Sequence, residues 1–377
     1  MSEKMAIDEL IEYGAFKTGS KADELFFRAM KENFEFMYEH SPHYRLICEH
    51  EGFTPSNLRN FEDIYSLPYV FVSCLKMYDF KFLPEEKIKL TLTSSGTGGL
   101  KTKTYLDEIT LRRILDIAWR IHDEMGVVAT ETECNYLLFS YDPNYAKDLG
   151  TAFSDESNTR FTKIRSKFYA IQWKGEEKGF VFSPAETAKK LVEFAGENVP
   201  LRICGFPAHL IITIEELRKM GYSRLPLHKD SMLLTGGGWK TFEDKKIEKP
   251  EFRKMVSEFF GIKPSQLRDS FGFVEHGIPY LDCEEGNLHI PNYSRVVARN
   301  PGDLSMLELG EQGLLHFYTP YHFAYPVLSV LSTDYGVVEE GCTCGRPGYI
   351  LKITGRAGRT KWKGCAFKAM ETLKEGA

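Results

Sequence analysis

The sequence has no long apolar run and no excess of basic residues. No stretch approaches the length of a membrane-spanning helix, and no apolar segment follows the first methionine, so we predict neither a transmembrane segment nor a secretion signal. The 377 residues carry a formal net charge of −5. A dedicated nucleic-acid binder usually has a basic face, so nucleic acid is not an expected partner.

Cysteine is also scarce. Eight cysteines in 377 residues are too few for a disulfide scaffold, and they suit a reducing compartment as buried or functional thiols. We therefore predict a cytoplasmic protein.

Repeats and low-complexity tracts are missing, whereas apolar residues are plentiful. Hydrophobic residues make up 42% of the chain and aromatic residues 13%, enough to fill a large core. Helical patterns alternate with strand-like runs: helices at 21–40, 107–125, 184–195 and 250–260, strands at 136–140, 168–173, 201–204 and 232–235. This alternation predicts an α/β fold with a largely parallel sheet between covering helices.

The last third of the chain changes character. Its segments are short, strand-like and separated by Gly, Pro and Asn turns, at 295–299, 313–318, 326–332 and 349–354. We predict a β-rich subdomain packed against the α/β part. The whole domain is expected to cover residues 1–354, followed by a short basic tail at 355–377.

A glycine-rich loop closed by a lysine runs from Thr93 to Lys101 and follows a strand-like pattern at 88–92. Backbone N–H groups in such a turn can converge on an anion, and the hydroxyls and lysine add donors. The pattern predicts that the loop binds a nucleoside triphosphate. The alternative is that it is only a flexible Ser/Gly loop. A P-loop is excluded because Leu100 separates Gly99 from the lysine.

Three further motifs follow the loop in order. Phe271-Gly272-Phe273-Val274-Glu275 places an aromatic ring and a carboxylate around a glycine turn. Asp334 follows an apolar strand, and Gly355-Arg356 begins the basic tail. Singly, such an aromatic would more often be a core residue, and such an aspartate a turn residue.

Together the four motifs resemble those of the adenylate-forming enzymes, which include acyl-CoA synthetases, peptide-synthetase adenylation domains and luciferases. The loop matches the family's T-S-G-T-T-G-x-P-K in its first half. The segment 271–275 resembles Y-G-x-T-E, with Val274 in place of Thr, and 332–334 resembles T-G-D. The segment 355–358 resembles the hinge motif G-R-x-D, although the hinge acid is absent.

The resemblance implies a role for each matched residue. The loop would hold the ATP phosphates, Gly237 and Gly238 would let backbone approach adenine and the acyl carboxylate, and Phe271 would stack on adenine. Glu275 would hold Mg²⁺, Asp334 would accept hydrogen bonds from the ribose, and Arg356 would lie near ribose and phosphate. The residues expected to bind nucleotide are Thr93, Ser94, Ser95, Gly96, Thr97, Gly98, Lys101, Gly237, Gly238, Phe271, Gly272, Glu275, Asp334 and Arg356. Lys101 and Glu275 are also expected to act in catalysis.

The tail resembles one particular family of adenylate-forming enzymes. The segment 363–366, Lys-Gly-Cys-Ala, is similar to the end of the acyl-protein synthetases of bacterial bioluminescence (the LuxE type), whose loop T-S-S-G-T-x-G-x-K is matched throughout. In that family the cysteine accepts the acyl group as a thioester, which implies this role for Cys365. Nearby lysines would favour the reactive thiolate. Full-length adenylate-forming enzymes carry a further small domain with a second catalytic lysine, and here we expect only the short tail.

Four residues could form a metal site. Cys342-x-Cys344-Gly345-Arg346 resembles a segment of phenylacetate-CoA-ligase-like proteins, and Cys283 with His289 could complete a Cys₃His set suited to structural Zn²⁺. His276 is an alternative fourth ligand. The two halves lie far apart in sequence, so spacing alone cannot bring them together.

The predicted function is an ATP- and Mg²⁺-dependent ligase that forms an acyl-AMP from a fatty or aryl acid and then a thioester on Cys365. An acyl-reductase or other acyl-accepting protein would collect the acyl group. One alternative is an acyl- or aryl-CoA ligase or carrier-protein ligase of the phenylacetate type. A second, non-enzymatic alternative is a nucleotide-binding scaffold subunit.

Overall fold

The structure is a computed structural model that describes residues 5–94, 102–146, 149–239, 242 and 246–357. The helices of these residues are α1 (Ala6–Tyr13), α2 (Ser20–His40), α3 (Pro42–His50), α4 (Cys74–Met77), α5 (Glu108–Glu124), α6 (Gly150–Asn158), α7 (Pro184–Gly196), α8 (Pro207–Lys219) and α9 (Lys249–Phe260). Among the described residues, no helix combines the length and the apolar character needed to cross a membrane.

The strands are β1 (Val70–Phe71), β2 (Leu90–Thr93), β3 (Lys103–Leu106), β4 (Ala129–Tyr141), β5 (Thr162–Trp173), β6 (Phe180–Phe182), β7 (Leu201–Gly205), β8 (Met232–Gly236), β9 (Leu267–Phe271), β10 (Tyr280–Asp282), β11 (Leu288–His289), β12 (Arg295–Arg299), β13 (Gln312–Tyr318), β14 (Ser329–Glu340) and β15 (Tyr349–Arg356). One large sheet contains most of them, in the order β12-β13-β14-β15-β11-β10-β9-β8-β7-β4-β5-β6, with β1 beside β14. Strands β2 and β3 form a separate antiparallel hairpin.

Local signals explain where several helices begin and end. Asp107 Oδ1 accepts a hydrogen bond from the Thr110 N–H at the start of α5 (2.7 Å), and Ser183 caps α7, whose first residue is proline. Gly261 ends α9 in the left-handed conformation that glycine adopts most easily (φ 65°). The helices predicted from periodicity lie within about two residues of the observed ones.

The predicted mixed α/β class is confirmed, and the structure shows how its two parts join. Strands β5, β4, β7, β8 and β9 pair in parallel, as predicted. The β-rich last third continues the same sheet, because β10 pairs antiparallel with β9. The sheet is therefore largely parallel in one half, apart from the antiparallel edge strand β6, and largely antiparallel in the other.

Side chains alternate between the two faces of the parallel half. Leu137, Ile203, Leu233 and Leu267 pack in the core beneath α7, α8 and α9. Leu138, Cys204 and Leu234 belong to the other core, which also includes residues of α1, α2 and α5. Helix α6 lies on this second side, since Glu156 accepts hydrogen bonds from Lys167 and Tyr169 of β5. We call this side the α6 face.

Candidate active site

The glycine-rich loop is closed at its base by a pair of hydrogen bonds. The Ser94 N–H donates to the Thr102 carbonyl oxygen (3.1 Å), and the Thr102 N–H donates to Ser94 Oγ (2.9 Å). Thr93 lies opposite Lys103 in the β2–β3 hairpin. The structure therefore places the two residues that flank the loop, Ser94 and Thr102, side by side at one end of a hairpin. Ser95, Gly96, Thr97, Gly98 and Lys101 lie outside the described residues, so their proposed roles stay predictions.

The base of the loop meets two other segments at Gly150, the first residue of α6. Leu149 forms a parallel bridge with Thr93. A Cβ atom on Gly150 would lie 2.4 Å from Val274 Cγ2 and 3.5 Å from the Thr93 carbonyl oxygen. Only glycine allows this approach, which brings the loop base, α6 and the segment carrying Glu275 together. Sequence reasoning missed Gly150, whose only local signal is a glycine that opens a helix.

Glu275 is the buried carboxylate of this region. It is 3% exposed, and it makes no hydrogen bond or ion pair within the described part of the chain. An uncompensated buried carboxylate is costly, so a cation partner would stabilise it. Carboxylate oxygen is also the ligand type that Mg²⁺ prefers. The residue thus fits the predicted Mg²⁺ role.

Glycines form the end of strand β8, next to β9. A Cβ atom on Gly236 would lie 2.6 Å from Ser270 Oγ, so the two strands approach closely here. Gly237 and Gly238 both have positive φ angles, 73° and 67°. Around Gly238 a Cβ atom would meet nothing within 4 Å. The backbone at the carboxyl end of β8 is thus exposed, and its approach to adenine and the acyl carboxylate stays a prediction.

Phe271 ends strand β9 and is partly buried. Its ring stacks on Phe317 with centroids 6.1 Å apart and lies 6.0 Å from Tyr280. Gly272 follows it and is exposed. The ring therefore has a core contact on one side, and its stacking on adenine stays a prediction.

The structure brings Asp334 and Arg356 together. They lie opposite each other in the antiparallel pair β14–β15, and Arg356 Nε donates to Asp334 Oδ1 at 2.8 Å. The Asp334 side chain is 7% exposed and that of Arg356 is 43% exposed. The pair makes no hydrogen bond to Glu275 or to the loop base among the residues that the structure describes. It thus forms a second group of predicted site residues.

The predicted cysteine–histidine set also converges. One ligand atom from each of Cys283, His289, Cys342 and Cys344 lies within 4.8 Å of the others. The Sγ atoms of Cys283 and Cys342 are 3.7 Å apart, and Cys344 Sγ is 3.3 Å from His289 Nε2. In a tetrahedral zinc site, Zn–S bonds of about 2.3 Å place two sulfurs about 3.8 Å apart. The spacing therefore matches a zinc centre.

Donors near two of the sulfurs suit thiolate ligands, and the surroundings of the histidines distinguish His289 from His276. Asn287 Nδ2 donates to Cys342 Sγ (3.3 Å), and the Arg346 N–H donates to Cys344 Sγ (3.5 Å). His276, the alternative ligand, instead lies 2.8 Å from Tyr280 Oη through its Nε2 atom. Burial lowers the pKa of His276 to about 3, so its ring stays neutral within the core. Sequence reasoning missed Asn287 because it has no local signal.

Solved structures show which fold class this is. Structures of 2-hydroxyisobutyryl-CoA ligase align with TM-scores of 0.66 to 0.68 at 17–18% identity, covering 91% of this chain and 69–71% of theirs. The fold is therefore that of the adenylate-forming ligases.

Sequence comparison then gives the family. The family model described as "Acyl-protein synthetase, LuxE" matches residues 6–374, and the chain belongs to this family. A relative from Vibrio harveyi, named long-chain-fatty-acid--luciferin-component ligase, is 25% identical over 97% of this chain and 93% of its own length. A relative of the same name from Aliivibrio fischeri is 24% identical over 92% of this chain and 88% of its own. The predicted enzyme class, an ATP-dependent acid–thiol ligase, is thereby confirmed.

Proposed function

We propose that this enzyme activates a fatty acid as its acyl-AMP, transfers the acyl group to Cys365, and delivers it to an acyl-reductase in the cytoplasm. The observation that carries the first step is the meeting of the loop base, Gly150 and the buried Glu275, which makes no hydrogen bond or ion pair with the described residues. The names of the two relatives support a long-chain fatty acid as the substrate. The similarity of the tail to K-G-C-A supports the cysteine.

The chemistry follows from these groups. The acid's carboxylate is already a nucleophile, so no side chain need act as a strong base when it attacks the α-phosphorus of ATP and releases pyrophosphate. The loop donors and Lys101 would stabilise the charge that develops on the phosphates. Glu275 would hold Mg²⁺, which supplies Lewis-acid stabilisation of the same charge. The Cys365 thiolate would then attack the acyl carbonyl and expel AMP, leaving a thioester.

One experiment tests the whole proposal. The protein is incubated with MgATP and a panel of fatty and aryl acids, pyrophosphate exchange is followed, and the intact mass is then measured with and without coenzyme A. We expect exchange that depends on the acid and a mass increase of one acyl group, which digestion locates at Cys365. Acyl-CoA formation without acylated protein would support the phenylacetate-type alternative. If none of the acids stimulates pyrophosphate exchange, the result would favour the non-enzymatic alternative, a nucleotide-binding scaffold subunit.

We expect Asp334→Asn to raise the KM for ATP more than it lowers kcat. The charged acceptor is lost, and a hydrogen bond to a charged group contributes about 1.5–3 kcal/mol, which corresponds to roughly 10- to 100-fold in affinity. Steady-state kinetics with ATP varied would measure it. Glu339→Gln is a matched control, because it breaks the exposed ion pair with Lys352 in the same hairpin. A KM for ATP equal in the two variants would argue against ribose binding.

We also propose that the four clustered cysteine and histidine residues hold a structural zinc ion. All four ligands are protein side chains, which is typical of a structural site and leaves no position for substrate. Cys283 follows β10, His289 ends β11, and the other two lie in the turn between β14 and β15. The ion would tie the two hairpins together at the end of β14–β15 opposite Asp334 and Arg356.

Metal analysis of the purified protein should therefore find about one zinc per chain. Cys342→Ser should remove it and lower Tm by roughly 4 °C, for a loss of about 3 kcal/mol, because the unfolding entropy is about 2.1 cal/mol/K per residue and the chain has 377 residues. Cys74→Ser, a substitution at a half-buried free cysteine, is the control and should keep both the zinc and the Tm. The proposal would be contradicted if the unchanged protein, as purified, contained no zinc and had the same Tm as the Cys342→Ser variant.

A further inference from the structure

Strands β1 and β15 share one edge of β14. Strand β13 pairs with both the first and the last part of β14. Strand β1 pairs with the first part and β15 with the last part, so both lie on the edge opposite β13. There the Val72 N–H donates to the Leu331 carbonyl oxygen (3.0 Å). The Ala357 N–H donates to the Thr333 carbonyl oxygen (2.7 Å), so the two strands meet end to end.

This meeting decides where the chain goes after Ala357. Strand β15 runs antiparallel to β14 and heads toward Leu331, whose carbonyl oxygen already accepts the hydrogen bond from Val72. Because β1 occupies the next position on this edge, the residues after Ala357 cannot extend β15. The chain therefore has to leave the sheet beside the end of β1 and helix α4, which follows it.

The segment beside this exit exposes large apolar side chains. Phe71 is 37% exposed, Met77 56% and Tyr78 65%. A single exposed apolar residue is common on a protein surface, whereas a concentration of them is typical of a contact surface. We call these three side chains the α4 surface.

The sequence after Ala357 supplies apolar residues that suit such a surface. Residues 358–377 lie outside the described part of the chain, and they include Trp362, Phe367, Met370 and Leu373. The last three are spaced by three residues, which would place them on one face of a helix. Trp362 is five residues from Ala357, a reach of about 17 Å at full extension.

The α4 surface also adjoins the hairpin that flanks the glycine-rich loop. Asp79, the residue after Tyr78, accepts a hydrogen bond at Oδ2 from Tyr105 Oη of β3 (2.9 Å). Lys81 Nζ lies 5.6 Å from the centroid of the same ring. The surface therefore lies between the point where the chain leaves the sheet and the β2–β3 hairpin. A segment bound there would run toward the candidate active site.

We propose that residues 358–377 bind the α4 surface through their apolar side chains and that this contact holds Cys365 near the candidate active site. The second part of this inference rests on the proposed function. Holding a reacting group close raises its effective concentration without any new contact at the reacting atoms. The contact should therefore speed acyl transfer to Cys365 and leave adenylation unchanged.

Limited trypsin digestion of the full-length protein tests the contact without using activity. Cleavage after Lys361 and Lys363 is followed by intact mass. Replacing Met77 and Tyr78 with serine should raise the cleavage rate about fivefold or more, because the bound form protects the segment. Replacing Phe367 and Met370 with serine should do the same.

Combining the two pairs of substitutions should raise the rate no further, since each pair removes the same contact. The control replaces Met306 and Leu309, each 52% exposed, with serine. They lie in the connection between β12 and β13, whose Gly310 N–H bonds to Val338, toward the other end of β14. The control should leave the cleavage rate unchanged, and melting temperatures establish that every variant is folded.

An activity measurement tests the second part. With MgATP and a long-chain acid, the variant with serine at 77 and 78 should acylate Cys365 about fivefold more slowly in a single turnover, at an unchanged rate of pyrophosphate exchange.

Equal cleavage of this variant and the unchanged protein, or additive effects of the two pairs, would overturn the contact. Faster cleavage with unchanged acylation would overturn the role in transfer. If no acid stimulated exchange in the unchanged protein, the proposed function would fail, while the trypsin result would still decide the contact.

Discussion

Cys365→Ser should abolish the acyl-enzyme while pyrophosphate exchange continues. The thiolate is a far better nucleophile than a serine hydroxyl, which is weak at its free pKa. Adenylation, in contrast, needs only the acid, ATP and the loop region. Intact-protein mass after incubation with MgATP and acid would show no acyl addition, and the exchange assay would show that acyl-AMP still forms.

The matched control for this variant is Cys74→Ser, which removes a half-buried free thiol with no proposed role. It should show both the acyl addition and the exchange. Acyl addition that survives Cys365→Ser would instead contradict the transfer to this cysteine, and digestion would then locate the true acceptor.

Glu275→Gln should slow adenylation by on the order of 10²–10³-fold, because several kcal/mol of metal-assisted stabilisation is lost and each 1.36 kcal/mol is tenfold in rate. The substitution keeps the shape of the side chain. It removes a buried charge that has no partner among the described residues, so Tm should stay equal or rise. A titration of exchange rate against Mg²⁺ concentration would measure the effect, and the midpoint should move to higher Mg²⁺.

Glu251→Gln is the corresponding control, since Glu251 is an exposed residue of α9. Its exchange rate and Mg²⁺ midpoint should match those of the unchanged protein. A Glu275→Gln rate within a factor of two of the unchanged protein would exclude Glu275 as a metal ligand.

Local structure was largely predictable from the sequence. Helix α7 begins where Ser183 and Pro184 indicate, and β12 occupies the predicted residues 295–299. Capping and periodicity are properties of neighbouring residues, so a sequence window contains them. The order of strands is different: β11 lies between β10 and β15, a pairing between residues about sixty positions apart. Such partners cannot be inferred from one sequence, and the β-rich subdomain was therefore predicted without its place in the sheet.

The candidate site, like the fold, has features that the sequence determined and others that only the tertiary structure decided. Sequence alone determined the α/β class, the enzyme class and the ordered motifs that include Glu275 and Asp334, because motif chemistry depends on residue type and local spacing. Only the tertiary structure placed Gly150 against Val274 and chose His289 over His276 beside the three cysteines. These arrangements depend on which strands are neighbours and which way each side chain points. Chain folding decides both over long sequence distances.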